Sequence, residues 1–283
     1  MTIEIRDLHH VADLREVIEI EKRVWGYPDG DEAVPLPMLA AEVHRGAIVL
    51  GAFDGASMVG ACYSFPALKS GRLTHWSHML GVVDGYRKQG IARLLKLGQR
   101  TRALAMRVDL IEWTFDPLQA ANAYFNLARL GVVVEEYRVN MYGESASPLW
   151  SGSDSDRVIA QWHVCDPHVE RRISRSGPVI RAADTLGAVR VLEAQAAAPL
   201  VEPGRPDLEQ EERRLLVEIP AVLAPIQAER PDLARRWRAA TRTVFTTYFG
   251  RGYRALDFWL DRARGCGTYL LARRDTAERQ EAA

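Results

Sequence analysis

The sequence predicts an α/β fold of the α+β type: a mixed central sheet flanked by helices, followed by a smaller α/β C-terminal region. Three observations predict it. Segments with strand-like and helical apolar spacing alternate along the first half. A strand-like run at 78–83 passes through a Gly-containing basic loop into a helical segment. The chain is 283 residues long, 47% hydrophobic and 26% charged, enough for one large or two ordinary domains with ample core.

Residues 3–8 alternate apolar and charged side chains like an edge strand. Residues 11–25 carry Val11, Leu14, Val17, Ile18 and Val24 at helical spacing. A Pro/Gly/Asp loop at 27–37 precedes a short helix at 39–44, ended by Gly46. Strands at 47–53 and 58–65 flank Asp54-Gly55, a hairpin signal. After Lys69-Ser70-Gly71 comes the central strand and its loop, Tyr86-Arg87-Lys88-Gln89-Gly90. In the helix that follows, Ile91, Leu94, Leu95 and Leu97 recur at helical spacing, with Arg93, Lys96, Arg100 and Arg102 between them. Residues 109–115 read as a strand, 120–130 as a helix with Gly131 as its C-cap, and 132–137 and 157–164 as strands.

A Ser/Gly-rich connector at 142–156 follows the sixth strand. Arg171, Arg172, Arg175 and Arg181 then lead to an Ala-rich segment and a loop with Pro199, Pro203 and Pro206. Residues 215–220 read as a strand and 231–249 as a helix whose face carries Leu233, Trp237, Ala240, Val244 and Tyr248. Closing strands at 253–260 and 268–272 surround Gly265 and Gly267. The expected domains are 1–165 and 166–283. The second is a cap, a homodimer contact or a degenerate half-repeat, since strand, helix, strand, strand also describes the chain from Asp109 onward.

The 37 basic and 37 acidic side chains cancel, so net charge gives no support to nucleic-acid or membrane partners. The N-terminus has no apolar signal-like core, and no uncharged apolar run approaches membrane-spanning length. Cys62, Cys165 and Cys266 are odd in number and far apart, without metal-ligand spacing. The expectation is a reduced cytoplasmic compartment and no metal.

Strand, basic loop and helix N-terminus together form an anion trap. First-turn amides have no intrahelical partners, and the helix dipole adds positive potential. Gly90 lets the backbone approach a phosphate, Arg87 and Lys88 add charge, and Ala92 keeps the next turn small. The arrangement Arg87-x-x-Gly90-x-Ala92 after such a strand resembles the pyrophosphate-binding motif of the GNAT superfamily of acyl-CoA-dependent N-acyltransferases. The element order β-α-α-β-β-β-α-β-α over roughly the first 165 residues is similar to that family as well.

The resemblance implies acetyl-CoA or succinyl-CoA as co-substrate and a small amine, an amino acid among them, as acceptor. It places the phosphates at Arg87, Lys88, Gln89, Gly90, Ile91 and Ala92. The pantetheine lies along the backbone of Leu80, Gly81 and Val82, and Asn122 contacts the cofactor. A backbone amide at 80–82 polarises the thioester carbonyl. His78 is the expected base, since imidazole titrates near neutrality and the residue shares strand parity with Leu80 and Val82; a hydrogen-bonded core histidine is the alternative. Glu112 is the rival base, and Asp116 holds an acceptor amine or caps a turn. Leu127 stands where the family often has an acidic Tyr, with Tyr124, Tyr137 and Tyr142 as substitutes. Arg238 and Arg242, one turn apart beside Trp237, could clamp a substrate carboxylate or form a solvated basic face.

Overall fold

The computed structural model describes residues 2–27, 32–143, 154–174, 187–197 and 199–274. The chain divides into two compact units. One holds the residues up to Trp113 together with His163–Cys165; the other holds Thr114–Gly143, the described residues to Trp162, and the chain from Asp166.

In the first unit the order is β1 (Ile3–Asp7), α1 (Val11–Trp25), α2 (Leu36–Val43), β2 (Ile48–Asp54), β3 (Ser57–Lys69), β4 (Arg72–Val82), a 3-10 turn (Asp84–Tyr86), α3 (Ile91–Ala105) and the start of β5 (Leu110–Phe115). The strands lie in the order β1-β2-β3-β4-β5, antiparallel except for the parallel pair β4 and β5. The helix α1 spans the expected residues, burying Leu14, Val17 and Ile20 and ending at Gly26 in the left-handed conformation. Strand β2 is buried along its length except at Asp54. β4 begins at Arg72, upstream of the expected start, because it pairs with β3 from Lys69↔Arg72 onward as one long hairpin.

The buried face of α3 differs from the expected one. Ile91, Leu95, Lys96, Gln99 and Ala103 are buried, whereas Leu94 is exposed. Apolar spacing therefore misassigned the face by about one residue, and a lysine lies inside.

In the second unit the end of β5 leads to α4 (Ala120–Ala123), which continues as a π-helix (Tyr124–Leu130), then β6 (Val133–Arg138), β7 (Arg157–His163) and α5 (Pro167–Ile173). Next come β8 (Val189–Leu192), β9 (Ala194–Ala197), β10 (Leu200–Pro203), β11 (Arg214–Pro220), α6 (Ala224–Glu229), α7 (Pro231–Gly250), β12 (Tyr253–Asp261) and β13 (Cys266–Arg273). The larger sheet here runs β7-β6-β12-β13-β11-β8, antiparallel except for β11 with β8; β9 and β10 pair separately. The compact units divide after Trp113, with His163–Cys165 belonging to the first. β6 pairs directly with β12 (Val134↔Ala255), the π-helix packs on β12, and α7 packs on both strands, so β6 and β7 share one core with the C-terminal strands.

Gly131 caps the π-helix in the left-handed conformation, its amide donating to Leu127 O. The part of the expected connector at 144–153, together with Arg175 and Arg181, lies outside the described residues. No described helix is long and apolar enough to cross a membrane. Cys62 and Cys266 are buried free thiols and Cys165 an exposed one; no cluster of three metal-ligating side chains occurs among the described residues.

Candidate active site

The central strand is irregular where the chemistry was expected. In the β3–β4 ladder Tyr63 faces Met79, but the next pair is Ser64↔Ser77, so His78 is an extra residue, a β-bulge. A bulge reverses side-chain parity. Gly81 faces α1, since a Cβ there would meet Val24 and Trp25 at 3.1 Å. Val82 faces α3: a Cβ on its partner Gly60 would lie 3.2 Å from Val82 and 3.5 Å from Leu95. His78 packs against Tyr63 and Phe65 (ring centroids 5.8 and 6.2 Å), and Tyr63 pairs with Met79 on the α1 face. His78 therefore does not share the side of Leu80 and Val82, because the bulge adds one residue between them.

The His78 ring is open to solvent on one side, and the protein atoms crowding it lower its pKa below the usual imidazole value. It is neutral at pH 7, the form able to accept a proton. Glu112 pairs with Trp76 in the β4–β5 register, and its carboxylate receives Lys69 Nζ at 2.5 Å. That carboxylate is engaged by its own ion pair.

The β4–β5 ladder consists of His75↔Ile111 and Trp76↔Glu112, while β4 runs on to Val82. Beyond Trp76 no further pair with β5 forms among the described residues, so the backbone edge of β4 at Leu80, Gly81 and Val82 is left open on that side. Gly81 is the residue there that faces α1, where a Cβ would be in tight contact with Val24 and Trp25.

At the end of β4 a tight loop leads into α3. Lys88 and Gly90 both have positive φ (64° and 82°), and a Cβ on Gly90 would meet nothing within 4 Å. The first helical hydrogen bond runs from Leu94 N to Gly90 O, so the amides of Ile91, Ala92 and Arg93 lie upstream of the ladder. Arg87 braces the loop, with Nε donating to Val82 O at 3.1 Å and Nη1 2.7 Å from Asp84. Gln89 donates to Gly85 O, and Tyr86 donates to Asp54 at 3.0 Å. The Lys88 side chain is exposed and has no ion pair among the described residues. Open space over Gly90, the amides of Ile91 and Ala92 ahead of the helical ladder, and the exposed Lys88 have the chemistry to receive a phosphate group.

The remaining candidates belong to the second unit. Asn122 is exposed on α4, and Leu127 is fully buried in the π-helix. Tyr137 donates to Asp156 at 2.6 Å; burial first, and then that bond, push its pKa well up. Tyr142 bonds Thr114 at 2.9 Å. Asp116 caps its turn by accepting Leu118 N, and it also receives both ends of the Arg238 guanidinium at 2.6 and 2.8 Å. Arg242 grips Asp156 at 2.8 and 2.9 Å and also reaches Asp154. Neither arginine forms the solvated basic face or the free clamp for a ligand; each already holds a carboxylate of this chain.

Sequence reasoning missed the bulge, the rings of Tyr63 and Phe65 around His78, and the buried side chains of Ser77, Lys96 and Gln99. Lys96 falls one residue past the apolar position Leu95, the only signal available for it.

On β4 a parallel pairing that ends at Trp76, a bulge at His78 and a loop with two positive-φ residues therefore lie within one strand and its turn. No protein-family model matches the chain, and no curated protein matches it. Solved structures similar to it include an acetyltransferase of the GNAT family from Streptococcus pneumoniae, 16% identical over 56% of this chain and 98% of that one, with a TM-score of 0.46. Another is aminoglycoside 6'-acetyltransferase type Ii, 17% identical over 59% of this chain and 99% of that one, TM-score 0.45. A third is the ribosomal-protein-S18-alanine N-acetyltransferase from Escherichia coli, 16% identical over 64% and 99%, TM-score 0.45.

Proposed function

We propose that this chain is an acyl-CoA-dependent N-acyltransferase of the GNAT type, moving an acetyl or succinyl group to the amine of a small acceptor. The observation that carries the reading is the coincidence, on β4, of the His78 bulge, the open edge at 80–82 and the anion loop at 87–92. In this reading residues 1–165 carry the transfer and 166–283 are a degenerate half-copy. The paired hairpins of the second unit support the half-copy: each follows a helix, and their first strands, β6 and β12, lie side by side.

The bound acyl-CoA supplies an activated thioester carbonyl. The amides of Ile91 and Ala92 and the loop residues Arg87, Lys88, Gln89 and Gly90 hold its phosphates, and the β4 edge at Leu80, Gly81 and Val82 aligns the extended arm and offers an amide to the carbonyl oxygen. The neutral His78 imidazole accepts the acceptor's ammonium proton from the α1 face, with Glu112, held by Lys69, as the rival base on that face. An amino-acid acceptor finds its carboxylate partner outside Arg238 and Arg242, which are occupied.

Calorimetry with acetyl-CoA and succinyl-CoA tests the cofactor; folded protein that binds neither overturns the reading. Turnover of both thioesters against a pool of L- and D-amino acids, followed by mass spectrometry, tests acceptor and donor. Acylation of peptides or aminoglycosides with amino acids untouched overturns the acceptor, and succinyl-CoA remaining inert overturns that donor. One observation favours a second reading, a non-catalytic acyl-CoA-binding protein: Leu127, where an acid was expected, is buried and apolar. Tight binding without amine-dependent release of free CoA would identify it.

A further inference from the structure

A polar cluster beneath the parting strands has no role in the transfer chemistry above. Lys96 of α3 is 1% exposed. Its ammonium donates to Ser77 Oγ and Gln99 Oε1, both at 3.0 Å, and lies 3.6 Å from the centroid of the Trp113 ring. Gln99 Nε2 donates to the same serine oxygen at 3.1 Å. An ammonium can only donate, which fixes the orientation of the Gln99 amide, and Ser77 accepts from both Lys96 and Gln99.

The positions of these partners matter more than their number. The β4–β5 ladder stops at Trp76↔Glu112, and the next residues along the two strands are Ser77 and Trp113. A single side chain, from the helix that starts at the anion loop, grips both strands where they part. Ser77 is also the residue immediately before the bulge. An apolar side chain would fill this space at no desolvation cost, whereas a buried ammonium is costly unless its partners are in place. Burial lowers the Lys96 pKa to about 8, so the charge is retained at neutral pH.

We propose that Lys96 is the positioning residue that sets where β4 and β5 part, and so shapes the slot for the extended arm of CoA. Its head group ties both strands to α3, so the loop that holds the phosphates and the fork that admits the arm are fixed to one helix. The identity of the arm rests on the acyl-CoA reading; the fork itself does not.

The test uses the full chain with Lys96→Met, nearly isosteric, and Ser77→Ala, which removes the acceptor and serves if the first variant fails to fold. CoA and adenosine 3′,5′-bisphosphate, which has phosphates but no arm, are titrated by calorimetry. CoA affinity is expected to fall about tenfold and bisphosphate affinity to stay within about twofold. A purely structural lysine moves both together or neither, and that result overturns the proposal. Amide hydrogen exchange at residues 77–80 is expected to quicken about tenfold, with 48–50 in β2 unchanged, because local opening at the fork becomes easier. Unchanged exchange at 77–80 in a folded variant overturns it as well. Should the wild-type chain bind neither ligand, the acyl-CoA reading fails, and the exchange measurement alone decides the role of Lys96.

Discussion

Two buried side chains show what single residues contribute. His75 is fully buried, with Nδ1 3.2 Å from Ser64 Oγ, and burial lowers its pKa from the ordinary 6.5 to about 4. The unfolded chain takes up this proton near pH 6.5, but the folded chain does so only near pH 4. Between those values the unfolded state binds more protons, so stability is lost as pH falls through the window, by on the order of 3 kcal/mol. Urea midpoints of the wild type should therefore drop more steeply between pH 6.5 and 4 than those of His75→Gln; equal slopes contradict this. Leu127 makes the opposite point. At 0% exposure it has no room for a ring, so Leu127→Tyr should cost about 1–3 kcal/mol through overpacking. It should not raise turnover, since the hydroxyl lands in the core; a variant as stable as wild type and faster in CoA release would refute both statements.

At the scale of elements, the loop between β4 and α3 separates two kinds of cation. Arg87 is bound back to Val82 O and Asp84, whereas Lys88 is held in the left-handed conformation with its side chain unengaged. Lys88→Glu should weaken CoA binding about tenfold, increasingly so at low salt, without moving the melting temperature. Arg87→Glu should lower both affinity and melting temperature, because it removes the brace. Calorimetry and thermal melts of the two variants check this, and identical behaviour would show that the brace is irrelevant. The bulge acts at the same scale. By adding one residue it turns His78 to the α1 face while leaving Leu80 and Val82 on the α3 face.

At the scale of the whole molecule, polar ties between residues far apart in sequence hold the second unit together. Arg238 and Asp116 are 122 residues apart in sequence, and both are buried. Removing one partner strands the other charge, so Arg238→Met should cost about 3–5 kcal/mol in chemical denaturation. The double replacement Arg238→Met with Asp116→Leu should recover most of that loss, because no unpaired charge remains. A single variant within about 1 kcal/mol of wild type would mean that water already screens the pair.

The sequence by itself determined the elements whose cause is local. Apolar period and a left-handed Gly26 delimit α1; Asp54-Gly55 turns β2 into β3; Gly90 and the basic residues beside it mark the loop; Gly131 ends the helical segment before β6. Tertiary structure decided what depends on a partner. The His78 bulge exists only in the register with β3, so strand parity counted along one chain pointed the side chain the wrong way. Lys96 is buried and Leu94 exposed because Ser77, Gln99 and Trp113 together replace the water an ammonium would otherwise need. Arg238 and Arg242 read as a possible ligand clamp because the carboxylates that occupy them lie far away in sequence. Local propensity cannot encode a partner that only folding brings within about 3 Å.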